Sequence, residues 1–313
     1  AKRAVHDHMR DHYGIEVEVE STRAFPTIFQ VKYPIEGAPL ISIVIPNKDH
    51  AEDLRRCIGS ILEKSTWKQV EIIVVENNSR EQSIRDYYRE LEQIPQVQVV
   101  TYEGEFNYSR INNYGVTFAK GEYLLFLNND TVVITPDWME ELLMYAQRPD
   151  VGAVGAKLYY ADNTIQHAGV VIGLGAHRSA GHTHYKMPKE HLGYMGRLCY
   201  AQDMTAVTAA CLMVKRSIYE EVGGLDETFT ISLNDVDFCL KIREKGYLNI
   251  FTPFAELYHY ESKTRGLEEG EKLRRYEKEC TRFREKWKDA LDAGDPYYNP
   301  NFSLDYSDFT LRF

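Results

Sequence analysis

The chain has 313 residues, 43% hydrophobic and 27% charged, with a formal net charge of −10. This is a globular composition, long enough to bury a large core, and not that of a disordered chain. The acidic balance argues against a general nucleic-acid binder, which needs a basic surface excess, but it allows a local basic pocket for a phosphate. No apolar run reaches membrane-spanning length, and the N-terminal AKRAVHDHMRDHYG has no apolar signal segment. It also lacks an initiator methionine, as expected of a processed form or a piece of a longer protein. Cys57, Cys199, Cys211, Cys239 and Cys280 are far apart with no CxxC pair, which reads as free thiols in a reducing cytoplasm.

In chain order, residues 1–37 form an extension: a short polar helix, the EVEVES stretch, then a segment punctuated by Pro26 and Pro34. From 38 the pattern changes. LISIVIP (40–46) is a continuous, β-branched apolar run, as in a strand buried on both faces. Leu54, Cys57, Ile58, Ile61 and Leu62 then mark one face of a helix. VEIIVVENNS (70–79), VQVVTY (97–102) and GEYLLFLNND (121–130) are further strands, with helices at 83–91 and 111–119 between them. Such alternation predicts parallel βαβ units with helices on both faces of the sheet. Ligands in these sheets sit beyond the carboxyl ends of the strands. Pro46-Asn47-Lys48, Glu76-Asn77-Asn78-Ser79 and Asn128-Asn129-Asp130 therefore fall on one rim.

The second half is less regular. VGAVGAKLYY and HAGVVIGLG are interrupted, Gly-rich strands, and 176–200 is an irregular His- and Gly-rich loop. A strand leads into a helix at 205–222, a helix covers 234–245, YLNIFTP is a strand, and ELYHYES follows. Residues 270–291 form a charged helix, and a polar, aromatic tail wraps the surface.

Three places could do chemistry. Asp130, delivered by a buried strand, could hold Mg²⁺ or Mn²⁺ together with the oxygens of a substrate diphosphate, or could cap a turn. Asp235 or Asp237, near a helix start, could take a proton from a hydroxyl or serve as a cap. His259 could complete a metal site with Asp130, and Lys263 and Arg265 could hold a diphosphate. His177, His182 and His184 have metal-like spacing, but a Gly-rich loop without cysteines favours a lid on the acceptor side over zinc. GxGxxG after the first strand, a P-loop, HExxH and GxSxG are all missing.

Taken in order, SIVIPNKDH (42–50), EIIVVENNS (71–79), NNYGVTFAKGEYLLFLNND (112–130), LNDVDFCLKIREKGY (233–247) and LYHYES (257–262) resemble family 2 glycosyltransferases. The resemblance is strongest to bacterial enzymes of O-antigen and surface-polysaccharide synthesis, rhamnosyltransferase-like members included. It runs from Pro39 to Arg265 and takes in the tail DPYYNPNFSLD. It implies a GT-A fold, a Rossmann-like, mostly parallel α/β sheet, with the catalytic domain at 38–265 and a C-terminal helix and tail at 266–313. It also implies an inverting, metal-dependent transfer from a nucleotide-diphosphate sugar (UDP first, dTDP second) to a glycan or lipid-linked glycan, at the cytoplasmic face of the membrane. By position, Pro46 and Asn77 match the base pocket, with Asn47, Lys48 and Glu76 beside them. Asn113 matches a residue near the nucleotide. Asn128, Asn129 and Asp130 stand at the DxD motif, with Asp130 a ligand of Mn²⁺ or Mg²⁺. Asp235 matches the general base, His259 a metal- or phosphate-side residue, and Lys263 and Arg265 the loop over the diphosphate. Asn128, Asn234 and Glu76 depart from the family's usual Asp, Glu and Asp. A binding module without turnover and a sugar nucleotidyltransferase are the alternatives.

Overall fold

The computed structural model describes residues 1–261 and 270–312; Lys263 and Arg265 lie outside the described residues. Helix α1 (Lys2–Tyr13) and a hairpin of β1 (Glu18–Ser21) and β2 (Phe29–Lys32) come first. Next come β3 (Ile41–Asn47), α2 (Ala51–Lys64), β4 (Val70–Glu76), α3 (Gln82–Leu91), β5 (Val97–Thr101), α4 (Tyr108–Val116) and β6 (Tyr123–Leu127). The middle of the chain gives β7 (Thr131–Val133), α5 (Trp138–Ala146), β8 (Val151–Tyr159), β9 (Ile165–His167), β10 (Val170–Ile172), β11 (Ala180–His182) and β12 (Gln202–Met204). It ends with β13 (Cys211–Lys215), α6 (Arg216–Glu221), α7 (Asn234–Glu244), β14 (Leu248–His259), α8 (Glu271–Lys286) and α9 (Lys288–Ala293).

One sheet organises the molecule, in the order β12-β14-β8-β13-β6-β3-β4-β5. Strands β6, β3, β4 and β5 are mutually parallel, as are β8 and β14, and β13 runs antiparallel between β6 and β8. Alternate side chains divide the core. Ile43, Ile45, Ile72 and Val74 pack with α2, α3 and α5 on one face. Val44, Ile73, Val75 and Phe126 pack with α4, α6, α7 and α8 on the other. Apolar side chains on both faces are why the strands read as continuous apolar runs. Helix α4 lies so close that a Cβ on Gly115 would stand 2.6 Å from Val44 and 2.7 Å from Val75.

Three features differ from the sequence-based expectation. YLNIFTP and ELYHYES form one strand, β14, whose register with β8 shifts between Phe251 and Glu256. Pro253 sits in that shift, where a missing N–H does least harm to the ladder. Helix α5 was not expected, although Glu140 and Glu141 in its first turn are a start signal. The charged helix at 270–291 breaks at Trp287, whose indole is buried and donates to Asp237. The tail packs back as expected: Tyr298 and Phe309 are buried, and Asp295 accepts from the backbone N–H of Ile172.

Candidate functional site

The carboxyl ends of β3, β4 and β6 open into a cavity of about 550 Å³. Pro46, Asn47 and Lys48 reach it from β3, Asn77 from β4, and Asn128, Asn129 and Asp130 from β6. The backbone is strained here: Asp49 and His50 both take left-handed φ angles, 53° and 54°. The Asp49 carboxylate secures that turn by accepting from the backbone N–H groups of Arg80 (2.6 Å) and Glu81 (2.9 Å). Asn47 is buried, donates to Tyr88 Oη (2.8 Å) and accepts from Asn129 Nδ2 (2.5 Å), which ties two strand ends together. Asn77 donates to the carbonyls of Tyr102 and Gly104, while its buried Oδ1 has no hydrogen-bond partner among the described residues.

Asp130 and His259 meet at the end of β14, with Nε2 3.1 Å from Oδ1 and both side chains less than 10% exposed. Gln166 Oε1 lies 2.6 Å from His259 Nδ1, and Gln166 Nε2 donates to Glu261. The amide oxygen thus places the imidazole proton on Nδ1 and leaves the Nε2 lone pair facing the Asp130 carboxylate and the Asn128 amide, 3.1 Å away. A lone pair and a carboxylate oxygen at that separation suit a cation. Two ligand atoms at right angles on an octahedral ion with ~2.1 Å bonds stand about 3 Å apart. Among the described residues no group of three or more His, Cys, Asp or Glu could hold a metal, so a bound ion would draw its other ligands from substrate and water.

Asp235 lines the cavity from the first turn of α7. The turn is set by Leu233, left-handed at φ 63°, and by Asn234, whose amide donates to the Ile231 carbonyl. Asp235 Oδ2 accepts from Thr208 Oγ1 (2.8 Å) and Ala209 N (3.1 Å), and Oδ1 accepts from Val236 N (2.9 Å). Behind the preceding loop, buried Glu279 of α8 accepts from the backbone N–H groups of Thr230, Ile231 and Ser232.

Some expected residues go elsewhere. Asn113 does not line the cavity: its Oδ1 accepts from Tyr219 Oη and Leu225 N, and its Nδ2 donates to the Leu225 carbonyl, so it fastens α4 to the loop after α6. Glu76 also turns away, accepting from Ser79 N at 2.6 Å to close the loop after β4. Asp237 is fully buried against Lys286 and Trp287 and plays a structural part. His182 faces His167, and His184 packs on Phe309, so the three loop histidines form no common centre. Other residues had no signal in the sequence. Lys272 and Arg275 of α8 line the cavity, and Arg275 Nε is buried with no hydrogen-bond partner among the described residues. A charged helix reads as a solvated one, so nothing marked Arg275. Thr208 and Gln166 reach the site only through the pairing of distant strands.

Comparisons with known proteins agree with this geometry. Residues 42–223 match the profile described as Glycosyl transferase family 2. An uncharacterised protein of Sinorhizobium fredii is 45% identical over 99% of this chain, which covers 34% of that protein. The O-antigen biosynthesis protein RfbC of Myxococcus xanthus is 36% identical, again over 99% of this chain and 24% of its own length. The chain thus spans about a third and a quarter of these two curated relatives. A crystal structure of GalNAc-T7 with UDP, GalNAc and Mn²⁺ superposes with a TM-score of 0.66 at 17% identity, covering 83% of this chain and 50% of that one, which establishes a shared GT-A fold. Because the matched segment covers more than half of the chain and carries the parallel half of the sheet with all three strand ends of the cavity, the chain belongs to glycosyl transferase family 2.

Proposed function

We propose that this chain is the catalytic domain of an inverting glycosyltransferase that moves a sugar from a UDP- or dTDP-sugar to a hydroxyl of a glycan. The observation that carries the proposal is the presence, on one cavity, of a carboxylate held by three donors (Asp235) and a separate Asp130–His259 corner that suits a cation. The catalytic unit is taken as 38–265, with 266–313 adding a cavity wall through α8. Uracil and thymine each present an N3–H, which Asn77 Oδ1 is placed to accept. Asp130 and His259 would hold Mn²⁺ or Mg²⁺, which when bound offsets the charge that develops on the leaving diphosphate.

The chain's own residues do the rest. Asp235 takes the proton of the acceptor hydroxyl while the oxygen bonds to the anomeric carbon. The bond from that carbon to the diphosphate breaks on the opposite side, and one displacement inverts the centre. Arg275 and Lys272 face the cavity with positive charge and take the leaving diphosphate. Much of the acceleration comes from holding two substrates in line. We take the acceptor to be a lipid-linked or polymeric glycan of surface-polysaccharide assembly at the cytoplasmic face of the membrane; similarity to an O-antigen biosynthesis protein of Myxococcus xanthus supports that reading.

The test is turnover of Asp235→Asn against a panel of UDP- and dTDP-sugars. A fall of at least a hundredfold in kcat, with donor binding retained, is expected for loss of a general base. Wild-type turnover in this variant removes Asp235 from the mechanism, and a wild type that binds donor but never turns it over points to a binding module.

A further inference from the structure

A chain of hydrogen bonds runs behind Asp235, and its directions can be read. His167, fully buried at the end of β9, accepts at Nε2 from the backbone N–H groups of Gly169 (3.3 Å) and Thr208 (3.4 Å). A ring that accepts at Nε2 carries its single proton on Nδ1. That proton points to Nδ1 of His182, 2.9 Å away on β11. Thr208 continues the chain. Its Oγ1 accepts from Ala210 N (3.4 Å) and gives its proton to Asp235 Oδ2, where Ala209 N also donates. Among the described residues, Oδ1 accepts only from the Val236 N–H.

We propose that His167 is a positioning residue for Asp235: by holding the Thr208 backbone, it aims Thr208 Oγ1 and Ala209 N at Oδ2 and leaves Oδ1 as the oxygen that takes the acceptor proton. This rests on the reading of Asp235 as the base. The asymmetry has a chemical purpose. An oxygen with two donors is less basic than its partner with one, so the carboxylate presents one preferred lone pair to the hydroxyl. A neutral imidazole suits the task, because a second proton on its ring would oppose the two backbone donors. His182 completes the clamp by accepting the Nδ1 proton, which fixes both ring orientation and tautomer.

Two measurements on the full chain test this. Imidazole ¹⁵N spectra, assigned with His167→Gln and His182→Gln, should show His167 neutral at pH 7 with its proton on Nδ1. A proton on Nε2 overturns the proposal whatever the activity. The second is nucleotide release from the UDP- and dTDP-sugars with Mn²⁺. Thr208→Val and His167→Phe should each lower kcat about ten- to hundredfold, the size of one lost hydrogen bond to a charged group, with donor KM and melting temperature held. Thr208→Ser and His167→Gln, which keep the donor and the acceptor respectively, should recover most of it. The double variant Thr208→Val with His167→Phe should fall little further than either single one, since both cut the same chain. Wild-type kcat in Thr208→Val and His167→Phe beside an inactive Asp235→Asn overturns the positioning role alone. Wild-type kcat in Asp235→Asn overturns the reading of the base, and the tautomer then decides the hydrogen-bond chain by itself.

Discussion

Glu141 shows how one side chain sets a pH dependence far from the cavity. It lies on α5 beneath the N-terminal hairpin, 4% exposed, with Gln30 Nε2 donating to Oε1 at 2.7 Å and Oε2 buried with no partner among the described residues. Burial, reinforced by Asp137, pushes its carboxyl up to about 7. The folded state therefore holds a proton that the unfolded chain releases near the ordinary Glu value. Its stabilising contribution is full below that value and is lost as pH rises through about 7. Glu141→Gln keeps the contact with Gln30 and should stabilise the protein above pH 7 by about 2 kcal/mol while flattening the slope between pH ~4.5 and 7. Urea denaturation across that range checks it; an unchanged slope means Glu141 is solvated in the folded state. At this scale the sequence was legible where chemistry and position coincide. Asp130, Asp235 and His259 end or begin elements whose periodicity is strong, and all three line the cavity. Asn113 and Glu76 were misplaced because sequence gives a residue's element but not which neighbour takes its polar atoms.

Helix α8 is held by charge as much as by packing. Lys286 Nζ lies 2.6 Å from Asp237 and 2.7 Å from Asp226, and Asp237 is fully buried. Removing the cation leaves a buried carboxylate with, among the described residues, the Trp287 indole as its one side-chain donor. Lys286→Met should cost about 2 kcal/mol, below the usual figure for a broken buried pair because Lys286 is a third exposed. Adding Asp237→Asn should return part of that loss; no recovery in the double variant would mean the lysine acts through its aliphatic stem alone. The parallel strands were readable because side chains buried on both faces give continuous apolar runs. Strand β14 was not readable as one element because Pro253 mimics a break, and α5, buried on almost every side, shows no clear amphipathic period.

For the whole molecule, ligand binding should appear as stability. Nucleotide at one hundred times its Kd adds about 2.7 kcal/mol. Thermal shifts with UDP and dTDP, each with and without Mn²⁺, should give a manganese-dependent increment that Asp130→Ala and His259→Ala abolish. An increment that survives both substitutions places the ion elsewhere. The architecture was legible as a whole since alternating strands and helices dictate one sheet with one ligand rim. The way β13 inserts between β6 and β8 was not, because strand order is set by contacts distant in sequence.

That insertion governs how the protein is made. Strand β6 is complete at Leu127, but its neighbour on one side, β13, starts only at Cys211. At ~5–20 residues per second, the ribosome needs on the order of ten seconds to supply it. Throughout that interval an entirely apolar strand presents an unpaired edge to whatever passes. The nascent chain is therefore most vulnerable to mispairing with other chains between the synthesis of β6 and that of β13, and a chaperone that shields residues 123–127 in that interval would protect the yield of the folded protein.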